Sequence, residues 1–301
     1  GADGWPVFKR EQPHSFFEFP KSKVTTASPM GGTIDDLNGD LAADLFLANV
    51  GMPMAPEVME KFFVVQPEAL ARLHQHICFV SGTNGWVDIG KEAGFKSLRD
   101  PVMNHDLVGW AAWTIDLDRD GRRDVGISHG EDIDVMTAKN RGPQRPVLMR
   151  NIDGKHFVEV SKLAKLPEVH PGLVSAVGDL DGDGDDDLIL GGLGIAAKLM
   201  RNDVAHGRSW LRVKLKGTTS NSMGIGATVT VTAGTLKQRR FVGGSGSFGA
   251  PSQPVADFGL ATNNAALVEV RWPSGYVQQV TLTGVNKQVT VTEPPLLVVS
   301  E

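Results

Sequence analysis

The sequence predicts an all-β fold, in which β-propeller-like repeats precede a C-terminal β-sandwich-like domain. Two observations predict it. Within the first two thirds of the 301 residues, an acidic stretch flanked by apolar, β-prone segments occurs three times. In the last third, short runs that alternate apolar and polar residues are separated by glycine turns. Units of strand, acidic loop and strand are what a propeller sheet requires, and the later runs indicate a second β domain.

The acidic stretch at residues 179–187 is the most complete copy. It has carboxylates at its first, third, fifth and ninth positions and Gly184 at the sixth. Carboxylates at this spacing can converge on one hard cation, and the glycine permits the sharp turn that the loop needs. An EF-hand would have glutamate at the twelfth position, where this chain has Leu190 in an apolar run. The stretch therefore predicts a calcium loop between two strands.

The same pattern occurs at residues 116–124 and 36–44, and we name the three stretches the first, second and third acidic loops in chain order. In the first loop Asn38 replaces a carboxylate and Leu41 replaces the glycine. We expect up to three Ca²⁺ ions, bound more tightly by the second and third loops, because each of these has four carboxylates against three in the first. The predicted ligands, with a backbone carbonyl at the seventh position, are Asp36, Asn38, Asp40, Ala42 and Asp44; Asp116, Asp118, Asp120, Arg122 and Asp124; and Asp179, Asp181, Asp183, Asp185 and Asp187.

Further strand-like segments follow the second and third loops, at residues 148–151 and 199–202. This arrangement resembles the FG-GAP/VCBS repeats of integrin-type β-propellers. Three loops are too few for a propeller of the usual size, so we expect residues 1–206 to form a minimal or incomplete one. Two segments that begin with Pro-Glu predict a helical insertion near residues 53–77.

Residues 207–301 contain landmarks that resemble an ASPIC/UnbV domain: Gly224, Phe258, Gly259, Leu260, Trp272, Pro273, Gly275 and Glu293. Repeats followed by this domain are the arrangement of the cartilage acidic protein family and its bacterial relatives. The resemblance implies matrix or cell-surface partners, carbohydrate included. We expect the C-terminal domain to cover the open end of so short a repeat array. The alternatives are the Phe-rich segment from Phe8 to Phe19, the helical insertion at residues 56–77, a second copy or another subunit.

The net charge of −5 is unevenly distributed, with −10 on residues 1–206 and +5 on residues 207–301. The acidity belongs mostly to the loops. The basic run Lys237, Arg239 and Arg240 is interpreted as a solvated strand or turn, with an anionic partner as the alternative. No nucleic-acid partner and no membrane span are expected. Extracellular calcium modules bind at about 0.1–1 mM, so we expect a secreted or periplasmic protein.

One catalytic motif needs an explanation. Residues 126–130 match the nucleophile-elbow pattern around Ser128, but the other repeats have Ala48 and Gly191 at that position, which favours a plain strand. We assign no catalytic residue and expect a calcium-stabilised protein that binds a protein or carbohydrate partner. The alternative is an enzyme that acts on a polysaccharide or small metabolite in a propeller-face or interdomain pocket. Carboxylates outside the loops that converge in one pocket with raised pKa values would favour the enzyme.

Overall fold

A computed structural model describes residues 29–49, 76–81, 85–95, 107–130, 144–192, 194–204, 207–244 and 246–295. Every regular element in these residues is a β-strand, which confirms the predicted all-β class. The part of the chain that the structure describes contains no helix able to cross a membrane. The helical insertion predicted near residues 53–77 lies outside the described residues up to 75, and a strand begins at Ile77.

Three antiparallel sheets carry the three acidic loops, and each loop joins the first strand of its sheet to the second, as predicted. The first sheet contains β1 (Pro29–Asp35), β2 (Asp44–Asn49), β3 (Ile77–Val80) and β4 (Val87–Asp88); the second contains β5 (Gly109–Ile115), β6 (Asp124–His129), β7 (Val147–Asn151) and β8 (Phe157–Glu159); and the third contains β9 (Val174–Gly178), β10 (Asp187–Gly192) and β11 (Ile195–Met200).

The three sheets pack against one another as neighbouring propeller sheets do. Phe46 and Ile127 belong to a core shared by the first and second sheets, and Trp113 and Leu190 to a core shared by the second and third. Strands β1, β5 and β9 lie side by side. Glycine permits this approach, since a Cβ on Gly31 would lie 2.3 Å from the carbonyl oxygen of Trp110. The described residues thus form a propeller-like array of three sheets.

The C-terminal strands form a β-sandwich. They are β12 (Ser209–Lys216), β13 (Thr228–Ala233), β14 (Leu236–Phe241), β15 (Gly246–Ser247), β16 (Ala250–Pro251), β17 (Val255–Ala261), β18 (Ala266–Arg271), β19 (Val277–Leu282) and β20 (Lys287–Thr292). One sheet has the order β17-β12-β20 and the other β14-β13-β18-β19. Leu211, Val231, Phe258 and Val268 lie in the core between them. The predicted sandwich-like domain is therefore confirmed.

The sandwich docks on the acidic loops. Arg239 of β14 donates a hydrogen bond to the carbonyl oxygen of Leu41 (2.6 Å), and the hairpin β15–β16 lies against β1, β5 and β9. On the third sheet Leu199 of β11 is 63% exposed, and the expectation that the sandwich covers the open end of the array stays a prediction. The basic run forms part of strand β14, and its Arg240 is buried 3.9 Å from Asp35 at the end of β1.

Candidate metal centres in the acidic loops

The aspartate at the ninth position closes each acidic loop in the same way. Its Oδ2 accepts the N–H of the loop's second residue, and its Oδ1 accepts an N–H from the chain at or beyond the third strand. The donors to Oδ2 are Leu37 for Asp44 (2.8 Å), Leu117 for Asp124 (3.0 Å) and Leu180 for Asp187 (2.9 Å). The donors to Oδ1 are Ser81 (2.8 Å), Asn151 (2.7 Å) and Asn202 (2.9 Å), in the same order. This carboxylate fastens the loop to its sheet.

The first aspartate of the first and third loops holds the turn together. Asp36 accepts the N–H groups of Gly39 (2.8 Å) and Leu41 (3.1 Å), and Asp179 accepts those of Gly182 (2.8 Å) and Gly184 (3.1 Å). Leu41 has φ 68°, the left-handed conformation that glycine adopts in the other loops. The first loop therefore keeps the predicted turn although it lacks the glycine.

Asp116 in the second loop is held differently. The fourth position is Arg119, whose N–H donates to the backbone carbonyl of Asp116 (3.3 Å). The side-chain Oδ2 of Asp116 accepts the N–H groups of Gly121 (3.0 Å) and Gly259 (3.1 Å), while Oδ1 is buried and has no hydrogen-bond partner among the described residues. Burial raises the pKa of Asp116 well above its ordinary value, although Arg123 opposes the shift. A buried carboxylate oxygen without a donor is unfavourable, and a cation would satisfy it.

Carboxylate oxygens converge in two of the loops. One oxygen each from Asp116, Asp118 and Asp120 lie within 4.8 Å of one another, and the same holds for Asp179, Asp181 and Asp187. Oxygens bound to one Ca²⁺ at about 2.3–2.6 Å can lie no more than about 5 Å apart, so both groups fit a single ion.

Some predicted ligands lie outside these two groups of described residues. Asp183 accepts the N–H of Asp185 (2.8 Å), Asp124 fastens its loop, and Asp36, Asp40 and Asp44 form no such group. The seventh residue donates its N–H to the fifth aspartate in the other loops too, from Ala42 to Asp40 (2.8 Å) and from Arg122 to Asp120 (2.9 Å).

Guanidinium groups lie closer to the converging carboxylates of the second loop than to those of the third, although Arg119 and Arg212 pair with Asp185 and Asp186 of the third loop. Arg150 lies 2.6 Å from Asp118 Oδ2, and the Arg122 side chain lies 3.1 Å from Asp120. In the third loop Arg201 lies 3.9 Å from Asp181, and Arg212 lies at the same distance from Asp179. Incoming calcium would meet less competition in the third loop.

Other acidic groups with raised pKa values lie in the loops or beneath them. Burial raises the pKa of Asp44 to about 6 and that of Asp124 to about 7, against hydrogen bonds from backbone N–H groups. Burial also raises the pKa of Asp36 and of Asp257, and Asp257 pairs with Arg123 and Arg212. Among the described residues, Asp257 is thus the carboxylate outside the acidic loops whose pKa is raised, and it is paired with two arginines.

The nucleophile-elbow pattern lies in strand β6. Ser128 Oγ is buried and lies 2.9 Å from Ser175 Oγ. His129 Nε2 lies 3.2 Å from His76 Nε2, and His76 Nδ1 accepts the N–H of Asn49 (3.2 Å). His76 must then carry its proton on Nε2, and this N–H donates a hydrogen bond to His129 Nε2. Burial lowers the pKa of both histidines, so the pair is a neutral link between the first two sheets.

The fold and the acidic loops define a class: a propeller-like all-β protein of the interaction or binding type, with a β-sandwich docked on its loops. The ASPIC and UnbV family model matches residues 217–296, which cover most of that sandwich. Cartilage acidic protein 1 of Mus musculus and that of Homo sapiens are each 36% identical to this chain over 108 residues. That match covers 35% of this chain but only 17% and 16% of the two relatives, so the chain spans about a sixth of the curated relatives that it matches.

Proposed function

We propose that this chain is a calcium-stabilised binding protein whose acidic loops are FG-GAP-like calcium sites. The observation that carries the proposal is Oδ1 of Asp116. It is buried without a hydrogen-bond partner, on a side chain that converges with Asp118 and Asp120. An exposed carboxylate cluster needs no ion, but this oxygen is buried and has no hydrogen-bond donor among the described residues.

The donor set favours calcium over other cations. All the converging atoms are carboxylate oxygens, which suit hard cations and give no nitrogen or sulfur for zinc or copper. Calcium tolerates the irregular geometry of a nine-residue loop, whereas magnesium requires a near-ideal octahedron. Bound calcium would also favour the ionised form of the carboxylates whose pKa values burial raises.

The order of affinity follows from charge. We place the third loop first because its converging carboxylates are the least neutralised by arginine, the second loop next and the first loop last. The first loop has three carboxylates, and they do not converge within the described residues.

We further propose that the chain is secreted or periplasmic and binds a protein or carbohydrate partner there. Support comes from the propeller-like fold, from the match to the ASPIC and UnbV family and from the relatives' name, which refers to cartilage. Extracellular calcium modules have dissociation constants of about 0.1–1 mM, so such sites fill only in compartments with a high calcium concentration. A glycan array probed with the calcium-loaded chain would separate a carbohydrate partner from a protein partner.

Calorimetric titration of the metal-free chain with calcium chloride tests the sites. We expect Asp181→Asn to remove the tightest binding component and Asp118→Asn to remove the next, because each loses a converging carboxylate. Asp203→Asn is the matched control, since Asp203 is an exposed aspartate paired with Arg201 (3.0 Å) outside the loops. Binding that survives both loop substitutions, or that Asp203→Asn also removes, would contradict the assignment.

A further inference from the structure

The free edge of strand β17 faces the second acidic loop. Among the described strands, β17 pairs with β12 alone and is therefore an edge strand of its sheet. On the other side, the N–H groups of Gly259 and Ala261 donate to Asp116 Oδ2 (3.1 Å) and to the carbonyl oxygen of Arg119 (3.1 Å). Exposed edges of this kind pair with whatever strand they meet, so proteins keep them covered. Here the second acidic loop covers the edge of β17.

The carbonyl groups of the same edge are also paired. Arg123 and Arg240 both donate to the carbonyl oxygen of Asp257, at 3.2 and 3.0 Å, and Gln238 donates to that of Gly259 (2.6 Å). Of these donors, Arg123 comes from the second loop itself. The edge of β17 and the second loop thus form a continuous hydrogen-bonded joint between the sandwich and the repeat sheets.

The joint replaces a contact that the other loops make internally. In the first and third loops, Gly39 and Gly182 donate to Oδ1 of the first aspartate. In the second loop that donor is absent, and the orientation of the Asp116 carboxylate is instead fixed by Gly121 from the loop and Gly259 from the sandwich. Asp116 is therefore oriented for metal binding by a strand 143 residues away in sequence.

We propose that calcium at Asp116, Asp118 and Asp120 and the docking of β17 stabilise each other, so that the second loop works as a calcium-controlled joint. The inference rests on the proposed calcium sites. Because the coupling is reciprocal, docking must raise calcium affinity by the same factor by which calcium favours docking. Loss of the ion would loosen the loop and expose the edge of β17.

Amide hydrogen exchange of the full chain tests whether calcium favours the docking of β17. In calcium chloride, the N–H groups of Gly259 and Ala261 should exchange about tenfold or more slowly than in chelator. Asp118→Asn should abolish this protection while calcium still binds the third loop, which separates the joint from general stabilisation. The amides of Val268 and Val270 in the opposite sheet serve as the internal control.

Calcium titration of Gly259→Ala tests whether the docking of β17 raises the calcium affinity of the second loop. A Cβ at this position would lie 2.2 Å from Asp116 Oδ2 and 2.5 Å from the Arg119 Cα, so it would push the loop away without removing a ligand. We expect the component lost in Asp118→Asn to weaken about tenfold or more, and the third-loop component to stay unchanged. Gly284→Ala is the control, since the nearest neighbour of its Cβ, Lys287 Nζ, is 4.0 Å away.

The outcomes are distinct. The wild-type chain could bind calcium at the second loop while the amides of Gly259 and Ala261 exchange at the same rate with and without calcium. That result would contradict the proposed coupling between calcium and docking but not the proposed calcium sites. A wild-type chain that binds no calcium would overturn both. If Gly259→Ala does not fold, the exchange experiment on Asp118→Asn decides.

Discussion

Replacing Arg123 with alanine should lower the free energy of unfolding by about 3–5 kcal/mol, the range for breaking a buried ion pair from one side. Arg123 is 7% exposed. Its guanidinium lies 3.0 Å from Asp35 Oδ2 and 3.7 Å from Asp257 Oδ2. Without it, Asp35 of the first sheet and Asp257 of the sandwich would each lose a buried guanidinium partner and, among the described residues, would keep only Arg240 at 3.9 Å and Arg212 at 3.7 Å, respectively.

Chemical denaturation measures this effect. Arg123→Lys should restore little of the stability, because an ammonium group cannot bridge Asp35 and Asp257 as a planar guanidinium does. Arg201→Ala is the matched control, since its side chain is 61% exposed and solvent screens its pair with Asp203, so that its loss should lower the stability much less. Equal losses in Arg123→Ala and Arg201→Ala would show that the buried network does not hold the parts together.

Glu293→Ala should lower the free energy of unfolding by about 3 kcal/mol. Glu293 is 1% exposed and follows β20. Its Oε2 accepts the N–H groups of Thr218, Thr219 and Ser220 at 2.7–2.9 Å, and its Oε1 accepts the hydroxyls of Ser220 (2.9 Å) and Ser274 (2.6 Å). Alanine would leave the backbone donors of this turn without an acceptor.

The contribution of Glu293 should disappear in acid. Burial raises its pKa, but the hydrogen bonds from Ser274, Ser220 and Thr218 outweigh burial and hold the pKa at about 2. Because the folded-state pKa lies below the ordinary 4.5, the stabilisation is complete above about pH 4.5 and is lost as the pH falls towards 2.

Unfolding free energies across this pH range provide the test. The stability gap between wild type and Glu293→Gln should shrink as the pH falls, since glutamine keeps the shape but does not ionise. Glu269→Gln, at an outward-facing position of β18 hydrogen-bonded to Gln279 (2.8 Å), should stay within about 0.5 kcal/mol of wild type. A gap that stays constant from neutral pH to pH 2 would contradict the role of the ionised carboxylate.

The sequence predicted the repeats and their loops because that information is local. Alternation of acidic loop and apolar strand fixes where β1, β2, β5, β6, β9 and β10 begin and end, and the Asx-type hydrogen bonds of a loop involve residues at most seven apart. The left-handed turn at Leu41 shows how strongly the flanking aspartates determine the loop, since they impose it on a residue that disfavours it.

Contacts between distant segments could not be predicted from such patterns. Arg240 was interpreted as part of a solvated strand or turn, yet it is 4% exposed and lies 3.9 Å from Asp35, far away in sequence. The missing fourth-position glycine at Arg119 was the visible signal that the second loop differs from the others. Its meaning required the position of Gly259, which only the fold supplies.

The melting temperature with and without calcium tests the account most directly. At about ten times its Kd, calcium adds about 1.4 kcal/mol per site, so the second and third loops together predict a fall of about 5 °C or more in excess chelator. Readdition of calcium should restore the melting temperature of the wild type but not that of a variant carrying Asp118→Asn and Asp181→Asn. A melting temperature that does not change when chelator is added would show that these loops hold no structural calcium.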